Sequence, residues 1–260
     1  MRKICLALLL IVSLSSLQAQ DNYEIQVYSA PTMNRGQTIF ELHSNFTFRG
    51  NKNIVDGVLP SWHALHETIE ITHGITDNFE LGFYLFTNYT AGYGWKIIGT
   101  HIRPRIAAPE KWNLPVGLSL SAEIGWQKKE YSGETFSMEI RPIIDKTFGK
   151  LYLSLNPTLG VTFQGVDKAS APAFAPNFKA SYAVSPKWSL GAEYYGDLGP
   201  LNDFEVPAQQ NHAIFLVADI YSNPNWEVNF GPGFGLTPAT DGLVLKLLLG
   251  RRINWKKPKP

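Results

Sequence analysis

Residues 66–85, HETIEITHGITDNFELGFYL, sort their side chains by parity twice over. In the first half Ile69, Ile71 and Ile75 fall on one side of an extended chain, with His66, Thr68, Glu70 and Thr72 on the other. After Thr76, Asp77 and Asn78 the division returns, with Phe79, Leu81, Phe83 and Leu85 against Glu80, Gly82 and Tyr84. Successive side chains of a strand point to opposite faces, so each half separates an apolar from a polar environment. The polar trio between them reads as the turn of an antiparallel hairpin.

The same pattern spreads outward from this hairpin. Upstream, Thr38 to Phe48 sets Phe40, Leu42, Phe46 and Phe48 against Glu41, His43 and Asn45. Downstream, Trp95 to Ile106 is expected to turn Ile98, Ile102 and Ile106 outward and His101, Arg103 and Arg105 inward. Leu118, Leu120, Ile124 and Trp126 then alternate with Ser119, Ser121, Glu123 and Gln127, and Phe136, Met138, Ile140 and Ile144 with Ser137, Glu139, Arg141 and Asp145. Further segments follow at 151–163, 177–184, 189–195, 214–220, 228–234 and 243–252. The reading is all-β: a single transmembrane antiparallel up-and-down β-barrel of about 12 strands over residues 37–255, even in number as single-chain bacterial barrels are.

Bulk properties agree. The mean hydropathy of −0.11 is that of a soluble protein, and after residue 20 no apolar run approaches the length of a membrane helix. A barrel alternates lipid-facing with lumen-facing residues, so its average conceals its pattern. With 23 basic and 22 acidic residues the net charge is +1, which gives no electrostatic footprint for nucleic acid. Connections alternate short and long, as periplasmic turns and external loops do, with intermediate ones near Pro115 and Thr240. All seven tryptophans fall near strand ends, where an amphipathic ring suits the headgroup layer. Trp62, Trp95 and Trp126 are expected at the external rim, and Trp112, Trp188, Trp226 and Trp255 at the periplasmic one.

Outside the barrel, residues 1–20 read as a signal peptide. Arg2 and Lys3 precede an apolar run from Ile4 to Leu14 that is too short to span a bilayer, and Ala19 marks a cut. The one cysteine, Cys5, lies before that cut, so the mature chain has no thiol for a disulfide or a thiolate metal site. Residues 21–36, with Tyr23 to Tyr28 before Pro31 and Gly36, read as an N-terminal periplasmic segment or plug, with an extra strand as the alternative. Residues 256–260 form a basic C-terminal tail. Two features resist the pattern. Pro104, Pro142, Pro157 and Pro232 fall inside strands, where bulges are expected. Glu67 and His73 land on the lipid face, which is tolerable near the rims.

The inward parity supplies the candidate lumen lining: Glu41, His43, His66, Glu70, Glu80, His101, Arg103, Arg105, Glu123, Glu139, Arg141, Asp145, Lys179, Glu193 and Lys246, with Asp219, Glu227 and Arg252. Charges of both signs in a low-dielectric interior must pair or be hydrated, so these groups form either an ion-pair network that fills the bore or a solvated channel. Arg103, Arg105 and Arg141 on two neighbouring strand hairpins form a cluster able to attract anions. No cofactor or metal is expected, because His63 and His66 point to opposite faces of a strand. No enzyme is expected either. His43, Ser44 and Asn45 are sequential, but alternation sends Ser44 away from its neighbours, and no nucleophile elbow is present.

The strand pattern, together with Glu41-Leu42-His43, His66-Glu67-Thr68 and Arg141-Pro142-Ile143, resembles outer-membrane β-barrel proteins of the transporter family linked by name to phenol meta-pathway degradation. The resemblance implies a passive channel or uptake role for small molecules, hydrophobic ones among them. Gly250, Ile253 and Trp255 resemble the terminal-strand signal of outer-membrane proteins, which implies the barrel-assembly machinery as a partner. The other expected partners are outer-membrane lipids, lipopolysaccharide and small-molecule solutes, and the expected location is the Gram-negative outer membrane. A lumen-closed barrel with a structural or lipid-modifying role is the alternative.

Overall fold

The computed structural model describes residues 22–255, so the signal peptide expected over 1–20 and the basic tail 256–260 lie outside the described residues. Twelve strands follow in chain order: β1 (Gln37–Arg49), β2 (Leu65–Thr76), β3 (Phe79–Thr90), β4 (Gly94–Ala107), β5 (Gly117–Gln127), β6 (Glu134–Phe148), β7 (Leu151–Gly165), β8 (Ala173–Ser185), β9 (Trp188–Asp197), β10 (Asn211–Ile220), β11 (Trp226–Gly235) and β12 (Leu243–Asn254). Each pairs antiparallel with the next, and β12 pairs back onto β1, closing an up-and-down barrel with no free edge. In the opening hairpin Ile71 lies opposite Phe83 and Ile69 opposite Leu85, so the apolar sets of β2 and β3 share one face.

That face is the outside. Ile69, Leu81, Phe83, Leu120, Leu216 and Leu245 are exposed, while Glu70, Glu80, Arg103, Glu193 and Lys246 are buried, an inversion of the order that water imposes. A continuous apolar exterior on a closed sheet is stable in hydrocarbon, where closure leaves no free edge of backbone groups. Strands of 10 to 15 residues are long enough for the crossing. The barrel therefore resides in the outer membrane.

Gln37 and Asn254 pair at the end that also carries the two-residue turns Asp77-Asn78, Gly149-Lys150 and Pro186-Lys187, which is the periplasmic end. The nine-residue connection 108–116 at the same end holds a 3-10 turn, Glu110–Trp112. The external connection after β3 shortens to residues 91–93, because β3 and β4 run further than parity alone indicates. Trp95 and Trp126 sit at external strand ends, and Trp188 and Trp226 at periplasmic ones. The Trp255 indole donates to Thr38 Oγ1 across the β1–β12 seam at 2.7 Å.

Two expectations are corrected. Ile98 does not face lipid: Phe86 pairs with Gly99 and Thr87 with Ile97, so Ile98 is the extra residue of a bulge. It turns inward at 1 % exposure, while Ile97 takes the lipid side at 60 %. The strand prolines, conversely, carry no bulges. Pro104, Pro142 and Pro232 keep register with Leu81, Leu120 and Leu245 on one side, and the ladder lapses on the other without shifting. Successive N–H groups of a strand point to opposite neighbours, so a missing donor weakens one seam only. Between β6 and β7 the lapse covers residues 141–143 opposite 156–158, centred where Pro142 and Pro157 face each other. On the lipid face Glu67 is bonded by Ser44 Oγ at 2.6 Å and His73 by Thr38 Oγ1 at 2.7 Å, so neither polar group is left unpartnered there.

Candidate functional site

Residues 22–36 run inside the cylinder. Their course follows from which wall groups meet their backbone, since an extended peptide without sheet partners must satisfy each N–H and C=O elsewhere. Asn45 on β1 donates to the Asn22 carbonyl at 2.9 Å, Thr68 on β2 to Tyr23 at 2.7 Å and Lys246 on β12 to Ile25 at 3.1 Å. Ser154 on β7 donates to the Tyr28 carbonyl at 2.6 Å, and the Tyr28 amide donates to Asn156 Oδ1 at 2.7 Å. Further along, Arg105 on β4 holds the carbonyls of Ser29 and Pro31, Asp145 on β6 accepts from the Ala30 amide at 2.9 Å, and Glu80 on β3 accepts from Met33 at 2.6 Å. The segment thus descends from the external rim, where Asn22 meets Asp241, to the periplasmic rim. There it passes so close to β2 that a Cβ at Gly74 would stand 2.2 Å from the Asn34 carbonyl oxygen.

Its side chains dock on apolar inward residues. Ile25 and Val27 pack with Tyr195, Phe215, Val217 and Val244 on one wall. Tyr23 packs with Tyr84, Phe86 and Ile98 on another, and Tyr28 and Ala30 pack with Ile143. The candidate lining, drawn from the polar inward residues, left these wall positions out. The signal was present, because Tyr84, Phe86, Phe215 and Val217 are aromatic or aliphatic residues at polar parity, and Tyr23, Ile25 and Val27 alternate in register with the chain that has to cover them.

Tyr28 is the centre of the site. The Arg103, Arg105 and Arg141 guanidinium carbons lie 4.9, 5.4 and 4.9 Å from its ring centroid. Arg103 Nε donates to the Tyr84 hydroxyl at 2.5 Å, the Tyr84 and Tyr28 hydroxyls are 2.9 Å apart, and the Tyr28 hydroxyl donates to the Glu24 carboxylate. The expected anion-attracting cluster is therefore not what these arginines form. Arg103 is held by Glu70 at 2.6 Å and Glu80 at 2.9 Å, Arg105 by Glu80 at 2.8 Å, and Arg141 by Glu139 at 2.6 Å and Glu24 at 3.4 Å. A guanidinium removed from water needs such partners, and its flat face is free to stack on an aromatic ring.

The remaining candidates fall into smaller groups. His43 meets Glu70 at 3.2 Å, and Thr72 donates to Glu70 at 2.7 Å. On the opposite wall Lys179 bridges Glu193 at 3.1 Å and Asp219 at 2.7 Å, and Lys246 shares Glu193, which also accepts from the Tyr195 hydroxyl at 2.7 Å. His101 meets Glu123 at 2.7 Å, and Arg252 meets Glu227 near the periplasmic rim. His66 is buried beside Tyr23, with centroids 4.9 Å apart, and is bonded to Asn88. Asp145 also accepts from the Tyr152 hydroxyl at 3.0 Å. Glu41 is buried, and no ion pair reaches it among the described residues. No group of three or more His, Asp or Glu is placed to hold a metal among the described residues.

The segment divides the interior space. Toward the outside lies a cavity of about 100 Å³ bordered by Glu24, Phe86, Glu123 and Arg141. Toward the periplasm lies one of about 300 Å³ bordered by Val27, Tyr28, Glu41, Arg103 and Lys179.

No family model and no curated protein matches the sequence. Among solved structures, the chain is similar to an outer membrane channel from Pseudomonas putida F1, at 12 % identity and a TM-score of 0.59 over 88 % of this chain and all of that one. It is similar to the KdgM porin at 9 % identity and a TM-score of 0.52, over 82 % of this chain and 98 % of that one. It is also similar to the NanC porin at 8 % identity and a TM-score of 0.52, over 81 % and 97 %. At these identities the likeness is one of fold, the outer-membrane barrel already described.

Proposed function

We propose that this chain is an outer-membrane channel for small solutes whose bore is closed by its own residues 22–36, and that passage depends on displacing that segment. The observation that carries the reading is the placement of a continuous peptide, without β-pairing, between two cavities that open toward opposite ends of the barrel. A bore of about twelve strands is too wide for wall side chains alone to fill. Here the remaining space is taken by a tethered segment joined to the wall mainly by side-chain hydrogen bonds, whose partners water can replace.

The resemblance to the phenol meta-pathway transporter family supports small solutes with hydrophobic character, and the apolar patch of Tyr195, Phe215, Val217 and Val244 offers such solutes a wall once Ile25 and Val27 leave it. Lipids and lipopolysaccharide contact the outer belt, and Gly250, Ile253 and Trp255 on and beyond β12 present the assembly signal. The alternative, a permanently closed barrel with a structural or lipid-modifying role, is favoured by the extent of charge pairing around Arg103.

Planar-bilayer recording separates the two. The full-length protein is expected to give rare openings and a chain lacking residues 22–33 sustained steps. A deletion variant that retains the heat-modifiable gel mobility of a folded barrel yet stays silent overturns the channel reading.

A further inference from the structure

The external cavity has a composition that the closure of the bore does not use. Glu134 at the head of β6, Asp167 in the 166–172 connection and Asp197 at the end of β9 border it, and no ion pair reaches any of the three among the described residues. The basic side chains of its wall are already engaged, Arg141 by Glu139 and Glu24 and His101 by Glu123. Deeper in the same cavity, Asn177 is 4 % exposed and Glu123 6 %, and each has one oxygen, Oδ1 and Oε2, with no hydrogen-bond donor. Buried acceptors without donors are costly and normally have a partner, whether protein, water or ligand.

We propose that this cavity is a binding site for the ammonium group of a small organic cation, which enters between Asp167 and Asp197 and donates to Asn177 Oδ1 and Glu123 Oε2. An ammonium has three donors and no acceptor, which matches a lining of unsatisfied oxygens. Carboxylate solutes are repelled by the same rim. A bare divalent metal has no suitable set of ligands here among the described residues. The cavity, of about 100 Å³, has room for a short amine. Phe86, Ala173 and Ala175 supply an apolar wall for a few methylene groups.

Burial first, then the neighbouring charges of Asp56 and Asp197, lifts the Asp167 carboxyl to about 6, so at pH 7.5 it is ionised and available to a cation. As a solute class the proposal rests on the channel reading; as a binding site it stands without it.

The test is titration calorimetry of the folded full-length protein in detergent at pH 7.5 with putrescine, using 1-butanol and butyrate as neutral and anionic controls. Saturable putrescine binding is expected, with neither control binding. The D167N/D197N double variant is expected to weaken it roughly tenfold, the combined effect of two partly solvated ion pairs. N177A, which leaves the rim charge intact, is expected to weaken it as well, and heat-modifiable mobility checks that each variant is folded. Absence of saturable binding, equal binding of 1-butanol, or unchanged affinity in folded D167N/D197N overturns the proposal. Because calorimetry needs no conductance, a silent bilayer with intact putrescine binding refutes the channel and spares the site, and the reverse result does the opposite.

Discussion

Replacing Tyr28 by alanine is the sharpest probe of how the segment is held. The ring is buried at 5 % exposure, three guanidinium groups face it, and its hydroxyl joins Tyr84 to Glu24. Truncating a buried aromatic ring costs about 3–5 kcal/mol, and here most of the loss falls on the docked state, because a displaced segment exposes Tyr28 to water. Taking about 3 kcal/mol for that difference raises the ratio of displaced to docked segment roughly a hundredfold. Tyr28→Phe keeps the ring and its stacking but removes the hydroxyl, leaving Glu24 with Arg141; a lost hydrogen bond to a charged group is worth about 1.5–3 kcal/mol, so an increase of roughly tenfold or more is expected. The assay is open probability in planar bilayers, paired with the rate at which an added protease cuts residues 22–36. Both readouts should rise in the order wild type, Tyr28→Phe, Tyr28→Ala. Wild-type values for both in a folded Tyr28→Ala barrel would refute the claim that this layer holds the segment in place.

Other expectations follow from the same contacts. Arg103→Met leaves Glu70 buried with, among the described residues, His43 alone at ion-pair distance; breaking a buried ion pair in this way costs about 3–5 kcal/mol, which should appear as a lower unfolding temperature, and adding Glu70→Gln should recover part of it. Leu247→Arg places a cation on the lipid face in the middle of β12, where about 2–4 kcal/mol is expected in folding titrations into lipid vesicles, against little change for Leu247→Ile. The Asp167 carboxyl is raised from 3.8 to about 6 in the folded protein, so the folded state binds the proton more tightly than the unfolded one. Its contribution to stability therefore falls as pH rises between about 4 and 6 and is constant above; Asp167→Asn should flatten that part of the stability–pH curve.

The barrel itself was legible residue by residue. Hydrocarbon outside and polar groups inside act on every strand locally, so parity alone separates Phe83 from Tyr84 or Leu120 from Ser121, and the turn at Asp77-Asn78 carries its own signal. The inward position of His43, Glu70 and Arg103 follows from that parity. Parity fails where one extra residue enters a strand, as at Ile98, because nothing in the neighbouring sequence marks a bulge that is set by the pairing of β3 with β4. It also does not tell which inward charges meet, since Lys246 and Glu193 are 53 positions apart and Arg103 and Glu70 are 33 apart.

Read alone, residues 21–36 allow a periplasmic segment, a plug or an extra strand, and the tertiary structure decides the path of 22–36 among them. Tyr23 to Tyr28 alternate like an edge strand, and only a closed cylinder of this girth, lined with donors such as Thr68, Ser154 and Lys246, offers that backbone a better set of partners than water or a sheet edge. A lone strand cannot specify an enclosure that exists only after twelve strands have closed around it.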